Sequence, residues 1–253
     1  TTLGGAVNLS GNLAFTGNDL TVNDVANLGG DLTFTGHDLA VNAAANVGGT
    51  TTITNAGTFS TLALGDITST GAFTQNGVGS NTLAGDITTG NADISFQSAV
   101  TLAGDLAMST GTGAGNVTFS GTVDSAVDGN LDTLAHDLTI SSGTGGVSFS
   151  AALGNVAALG DLTVNSGGQT LFSQTVTAAS VLTDAAGSVR LDGGSVTTTG
   201  TQQYLENLTL GADTTLTGTT ITTGGTVNGI AGTNHSLTVT GDAVFGNDSG
   251  DDL

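Results

Sequence analysis

Carboxylates are the side chains this sequence offers in quantity for chemistry. Of its 253 residues 21 are Asp or Glu, against one Lys or Arg, Arg190, and the formal charge is −20. Asp66, Asp86 and Asp105 recur at spacings of 20 and 19. In a chain that coils with that period they stack in one file, roughly 5 Å apart. Carboxylates at that distance in water repel by only about 0.8 kcal/mol, which turn capping tolerates. Asp and Asn oxygens are also the ligands Ca²⁺ prefers. Solvated turn caps are the expectation for this file. The place where calcium would be expected is the run Gly246–Leu253, through Asp248, Asp251 and Asp252; no other cofactor is.

Other combinations lead to blander chemistry. Arg190, Tyr204 and Glu206 fall in adjacent coils, but a glycosidase needs two carboxylates facing a cleft with aromatic sugar platforms. The chain has no Trp, one Tyr and one Glu. A lyase acting on uronates needs cations that one Arg cannot supply. The expectation is a surface salt bridge beside a partly buried Tyr, and no enzyme. His37, His136 and His235 lie far apart in sequence and are expected to be turn residues. Thr52-Ile53-Thr54, Thr215-Leu216-Thr217 and Thr238-Val239-Thr240 raise ice binding, which requires a flat, charge-free ladder of such pairs on consecutive coils. Along the sequence the pieces do not recur at coil spacing, so no ladder is expected. The charge excludes nucleic-acid binding through phosphates. It also excludes anionic membrane surfaces, and no apolar run approaches the roughly 20 residues of a membrane helix.

The elements that must position these groups come from repetition. Residues 11–30 and 30–49 agree at 13 of 20 positions with an offset of 19, which is the signature of a solenoid turn. Leu13, Phe15, Leu20 and Val22 return as Leu32, Phe34, Leu39 and Val41, spaced by two within short runs, so each turn is a set of short strands. Leu20, Val22, Leu39, Val41, Leu162 and Val164 are assigned inward, with Thr21 and Thr163 outward. Phe15, Phe34, Phe96, Phe119, Phe149 and Phe172 are expected to stack inside. The residue before each strand-starting Asp is Asn18, Gly30, His37, Gly65, Gly85, Gly104, His136 or Gly160, types that tolerate positive φ, which predicts a recurrent left-handed corner. Helical signals are almost missing, and regularly spaced aliphatics exclude disorder. The fold class is therefore all-β: a parallel β-helix of about 12 coils of roughly 19–25 residues, read as one continuous rod over 1–253. Without Lys, no internal Lys–Asn cross-link can form, so stacking must supply the stability.

The 19-residue period, the Gly-x-Asp-Leu-x-Val strands and the stretches Gly187–Gly200 and Asn207–Asp213 resemble the filamentous-haemagglutinin-like β-strand-repeat proteins, giant exported adhesins of diderm bacteria. The resemblance spans essentially the whole chain. It implies a right-handed β-helix displayed outside the cell, as a structural segment of a surface filament or, alternatively, a stalk that presents cell-surface or glycan ligand sites. The run Gly246–Leu253 resembles one imperfect copy of the calcium-binding nonapeptide of β-rolls. Writing Thr1-Thr2-Leu3-Gly4-Gly5 after Asp251-Asp252-Leu253 recreates a strand motif, so head-to-tail self-association of units is expected.

Overall fold

The computed structural model describes residues 1–127 and 135–246. Within them the chain is all-β: short strands stack in parallel as a β-solenoid of about 12 turns. Three sheets run along the stack. The first has 7 strands, from Thr2–Leu3 to Val123–Ser125; the second has 13, beginning with Val7–Leu9; the third has 11, from Leu13–Thr16 to Val227–Gly229.

Alternation within each strand decides what lies inside. Leu20 faces Leu39 and Val22 faces Val41 on the next turn, all at 5% exposure or less, while Thr21 lies outward between them. Leu162 and Val164 are likewise buried beneath an outward Thr163. One strand per sheet per turn gives a core one or two side chains thick, so each inward residue packs chiefly on the same position one turn away.

The aromatic column is divided rather than continuous. Phe15 stacks on Phe34 with centroids 5.6 Å apart, and Phe96, Phe119, Phe149 and Phe172 form a second stack at 5.3–5.5 Å. Between them the same column holds Ile53 and Gln75. Gln75 is buried and satisfied, as a buried amide must be. Its Nε2 donates to Asn55 Oδ1 at 2.7 Å and to the Gly77 carbonyl at 2.9 Å, and its Oε1 accepts from the Ser98 hydroxyl at 3.1 Å.

Turn length varies while the ladder is kept, with one register shift between Thr217 and Thr220. Residues bonded across neighbouring turns differ by 19 at Asn8/Asn27, 22 at Thr54/Asn76, 23 at Asp93/Asn116 and 30 at Asn116/Gly146. Among the described residues the extra length goes into corners, where no ladder has to be kept. After residue 158 one corner disappears. The bridges Val123↔Leu153 and Leu153↔Val176 lead the first sheet's column into long strands, Val176–Thr183 and Thr214–Thr223. These bend along two former faces at once, the first half of Val176–Thr183 pairing with Ser195–Thr198 and the second with Gln202–Tyr204.

The corners do not turn as the residue types suggest. Among the described residues the only non-Gly residue at positive φ is Asn91, and none of Asn18, Gly30, His37, Gly65, Gly85, Gly104, His136 and Gly160 is left-handed. Glycine is needed there because of what approaches it. A Cβ on Gly30 would overlap Asn12 Oδ1, and one on Gly160 would overlap Asp137 Oδ1. Each oxygen is reaching for the amide just beyond that glycine: Asn12 Oδ1 accepts from Asp31 N at 2.9 Å, Asp137 Oδ1 from Asp161 N at 2.7 Å.

Candidate functional site

That contact is the unit from which the acidic surface is built. A corner Asp or Asn extends its side-chain oxygen to the next turn and caps a backbone N–H there, just before a strand, as at Asp31, or within one, as at Asp161. A charge-assisted bond of this kind satisfies a donor that ladder geometry leaves over. Asp31 does this for Thr50 (2.8 Å), Asp38 for Thr58 (2.6 Å) and Asp93 for Asn116 (2.7 Å). The carboxylates therefore cap turns, as expected, but the turn capped belongs to the neighbouring coil.

The expected file of Asp66, Asp86 and Asp105 is broken. Asp66 accepts from Asp86 N at 2.9 Å, but Asp86 accepts from Ala107 N at 2.8 Å. The intervening coil is longer by the shift that pairs Ile87 with Met108, which leaves Asp105 out of line. Asp105 starts a second file instead, accepting from Asp137 N at 3.0 Å, and Asp137 continues it to Asp161. The calcium candidates Asp248, Asp251 and Asp252 lie outside the described residues.

Among the described residues one group of ligand-type side chains gathers closely: Asp19, His37 and Asp38, with ligand atoms within 4.8 Å of one another. His37 Nδ1 lies 3.1 Å from Asp38 Oδ1 and 3.9 Å from Asp19 Oδ1. The Thr58 amide, helped by His37, holds the Asp38 carboxyl below its ordinary range. The same arrangement recurs twice. His136 Nδ1 is 3.8 Å from Asp105 Oδ1, and His235 Nδ1 is 3.8 Å from Asp213 Oδ1. In all three the residue after the His donates its amide to that carboxylate: Asp38 at 3.3 Å, Asp137 at 3.0 Å and Ser236 at 2.8 Å. The histidines are thus one device used three times, an imidazole laid over an intercoil cap. The Ser236 bonds are also the main reason that the Asp213 carboxyl sits below its usual range.

Arg190, Tyr204 and Glu206 do not assemble into the expected pair. Arg190 Nε donates to Asp192 Oδ1 at 2.7 Å, and that bond raises the guanidinium's pKa. Tyr204 is wholly buried, not partly, and its hydroxyl donates to Gln202 Oε1 at 3.0 Å. Burial pushes its pKa up. Glu206 is 5% exposed and accepts from the Thr183 hydroxyl at 2.8 Å. Loss of water is the dominant effect on this carboxyl, with the Thr183 bond opposing and Asp184 adding, and its pKa rises to about 7. No cation offsets its charge among its described partners.

The structure also corrects the expectation for threonines. Ser195 and Thr197 face Thr215 and Thr217, which in turn face Thr238 and Thr240. On the third sheet the register is more extended. Thr33, Thr52, Thr74, Ser95, Thr118 and Ser148 face one another on six successive turns. Two residues along each strand a second column runs through Thr35, Thr54, Asn76, Gln97, Ser120 and Ser150, and Thr54 Oγ1 donates to Asn76 Oδ1 at 2.5 Å. A shallow trough of about 570 Å³ lies between the columns near Thr74, Ser95, Asn76 and Gln97. The array is invisible at fixed sequence spacing because the corners differ in length. A usable signal was the Phe flanked by polar residues in Ser95-Phe96-Gln97, Thr118-Phe119-Ser120 and Ser148-Phe149-Ser150, since the inward ring sets the register of its outward neighbours.

Comparison with family models, curated proteins and solved structures finds no match to this chain.

Proposed function

We infer that the chain is a structural segment of an extracellular bacterial surface filament or giant adhesin, working as a scaffold without a catalytic step. The observation that carries this reading is the unbroken relay between turns. Every turn is tied to its neighbours through parallel ladders, and the corners add Asp and Asn caps that cross from one coil to the next. Such a stack transmits order along its axis and spends its surface on small polar residues, which suits a spacer. A charge of −20 keeps similar rods apart laterally and soluble.

Self-association would be axial in this reading. The marginal strands Thr2–Leu3, Val7–Leu9 and Leu13–Thr16 at one side of the sheets, and Val227–Gly229 at the other, offer ladder groups to a further coil. Two measurements test the proposal. Antibody against the chain should label intact source cells, and labelling only after lysis would overturn the location. Sedimentation and negative-stain microscopy of the purified chain should show end-to-end oligomers growing with concentration; monomers at every concentration, or side-by-side bundles, would overturn axial assembly.

A further inference from the structure

We propose that the outer face of the third sheet between Thr33 and Ser150 binds the surface of an ice crystal through its two-dimensional array of hydroxyl and amide groups. The two columns repeat every strand, about 4.8 Å, and stand two residues apart along each strand, about 6.6 Å. Both repeats are of the order of those between oxygens on planes of the ice lattice. A hydroxyl donates and accepts, and so does a side-chain amide, so either can hold a water in either orientation that a lattice requires.

Three further observations select this ligand. The face is neutral within a chain of charge −20: none of its twelve column positions is ionisable. The carboxylates that border it, Asp31 and Asp93, are turned into backbone bonds with Thr50 and Asn116. An ordered-water layer is disrupted by a fixed charge, whereas an ionic ligand would need one. Second, no aromatic ring is offered to a sugar, because Phe34, Phe73, Phe96, Phe119 and Phe149 all point inward and are buried. Third, those rings make the array stiff: Phe96, Phe119 and Phe149 stack at 5.3–5.5 Å beneath successive strands, and Phe73 packs tilted against Phe96, so little freedom remains to be lost when the groups engage a rigid partner. The trough between the columns, at about 570 Å³, has room for a file of waters bridging the two rows. Each contact is weak; many contacts to one crystal act together. This inference is independent of the filament reading, since a soluble monomer would present the same face.

The test is thermal hysteresis and inhibition of ice recrystallisation by the purified chain. It is repeated with Thr74→Lys and Thr118→Lys in the array and with Thr139→Lys on the second sheet as a control, all matched for circular dichroism and melting temperature. The expected result is hysteresis with faceted crystals for the parent and the control, and loss of both in the two array variants. Absence of hysteresis in the parent overturns the proposal, as does equal loss in the control. Retention on insoluble cellulose or chitin that Thr74→Lys abolishes, with ice growth unaffected by the parent, overturns it in favour of a crystalline polysaccharide.

Discussion

The turns before Ser125 and those after Leu159 solve the same packing problem differently. In the first region three short strands per turn meet at three corners, and the corners are held by caps that cross between coils. In the second, two faces are served by one long strand such as Val176–Thr183 or Thr214–Thr223, and the interior column passes from Phe172 to Leu191 and Leu210. Both regions bury polar groups: Asn55, Gln75 and Asn81 lie inside the early turns, and Gln202, Tyr204 and Glu206 inside the later ones, where Glu206 is a buried acid with a raised pKa. The contrast shows that a ladder tolerates either solution, and that burying Glu206 raises its pKa where the capping bonds of Asp38 and Asp213 lower theirs.

Breaking the early region at its core should have the largest effect. Leu39→Asp puts an unpaired carboxylate between Leu20 and Phe59 in the ladder. It is expected to cost more than about 4 kcal/mol, because a buried charge without a partner is among the most damaging changes. Unchanged melting would remove the inward assignment. Phe119→Ala opens a gap in the middle of the aromatic stack and is expected to cost about 3–5 kcal/mol, whereas Leu210→Ala in the later region should cost about 2–4. Denaturant midpoints for the two variants measure whether the ring stack adds anything beyond volume.

The corner caps come next. Gly160→Ala forces the Asp137 oxygen away from the Asp161 amide and should cost about 1–3 kcal/mol. Asp137→Ala, which removes the same bond without a clash, should cost less; a larger loss for Asp137→Ala would show that the clash does not occur. The smallest effect is confined to pH. Glu206 has its pKa raised from 4.5 to about 7, so between those values the unfolded chain gives up its proton first and stability falls as pH rises. Below 4.5 and above about 7 this contribution is flat. Glu206→Gln should abolish the slope in melting temperature across that window. Asp38 and Asp213 act in the opposite sense. Their lowered pKa values give stability that is present above 3.8 and lost as pH falls through the folded values, so the acid limb should survive in Glu206→Gln.

Much of the fold was legible because the 19-residue repeat at Leu13–Val41 shows period-two alternation without interference from turn length. What the sequence concealed has a common origin in the corners. Glycine serves either positive φ or the close approach of another group, and Gly30 and Gly160 look the same in sequence under both. The Asp66 file failed at Asp105 because a longer corner shifts the count without shifting the strand. For the same reason the hydroxyl columns, regular in space, are irregular in sequence, and although His37 and His136 share the same place before a strand-starting Asp, the carboxylates they cover, Asp19 and Asp105, lie a whole coil back at different spacings. Arg190 and Glu206 were near enough in sequence to suggest a pair, but Asp192, two residues from Arg190 on the same strand's exit, is the nearer partner.

The caps also bear on how such a chain can lengthen. The opening repeats carry both halves of the joint: an oxygen that reaches forward, and an amide beside a glycine that receives the one behind. A stretch of gene encoding one turn is therefore a complete cassette. Duplicated in tandem, it meets its own copy with plug matched to socket, as residues 11–30 and 30–49 still do. Growth by copying needs no compensating substitution at the seam; a later change in coil length moves the joint to another amide, as between Asp86 and Ala107.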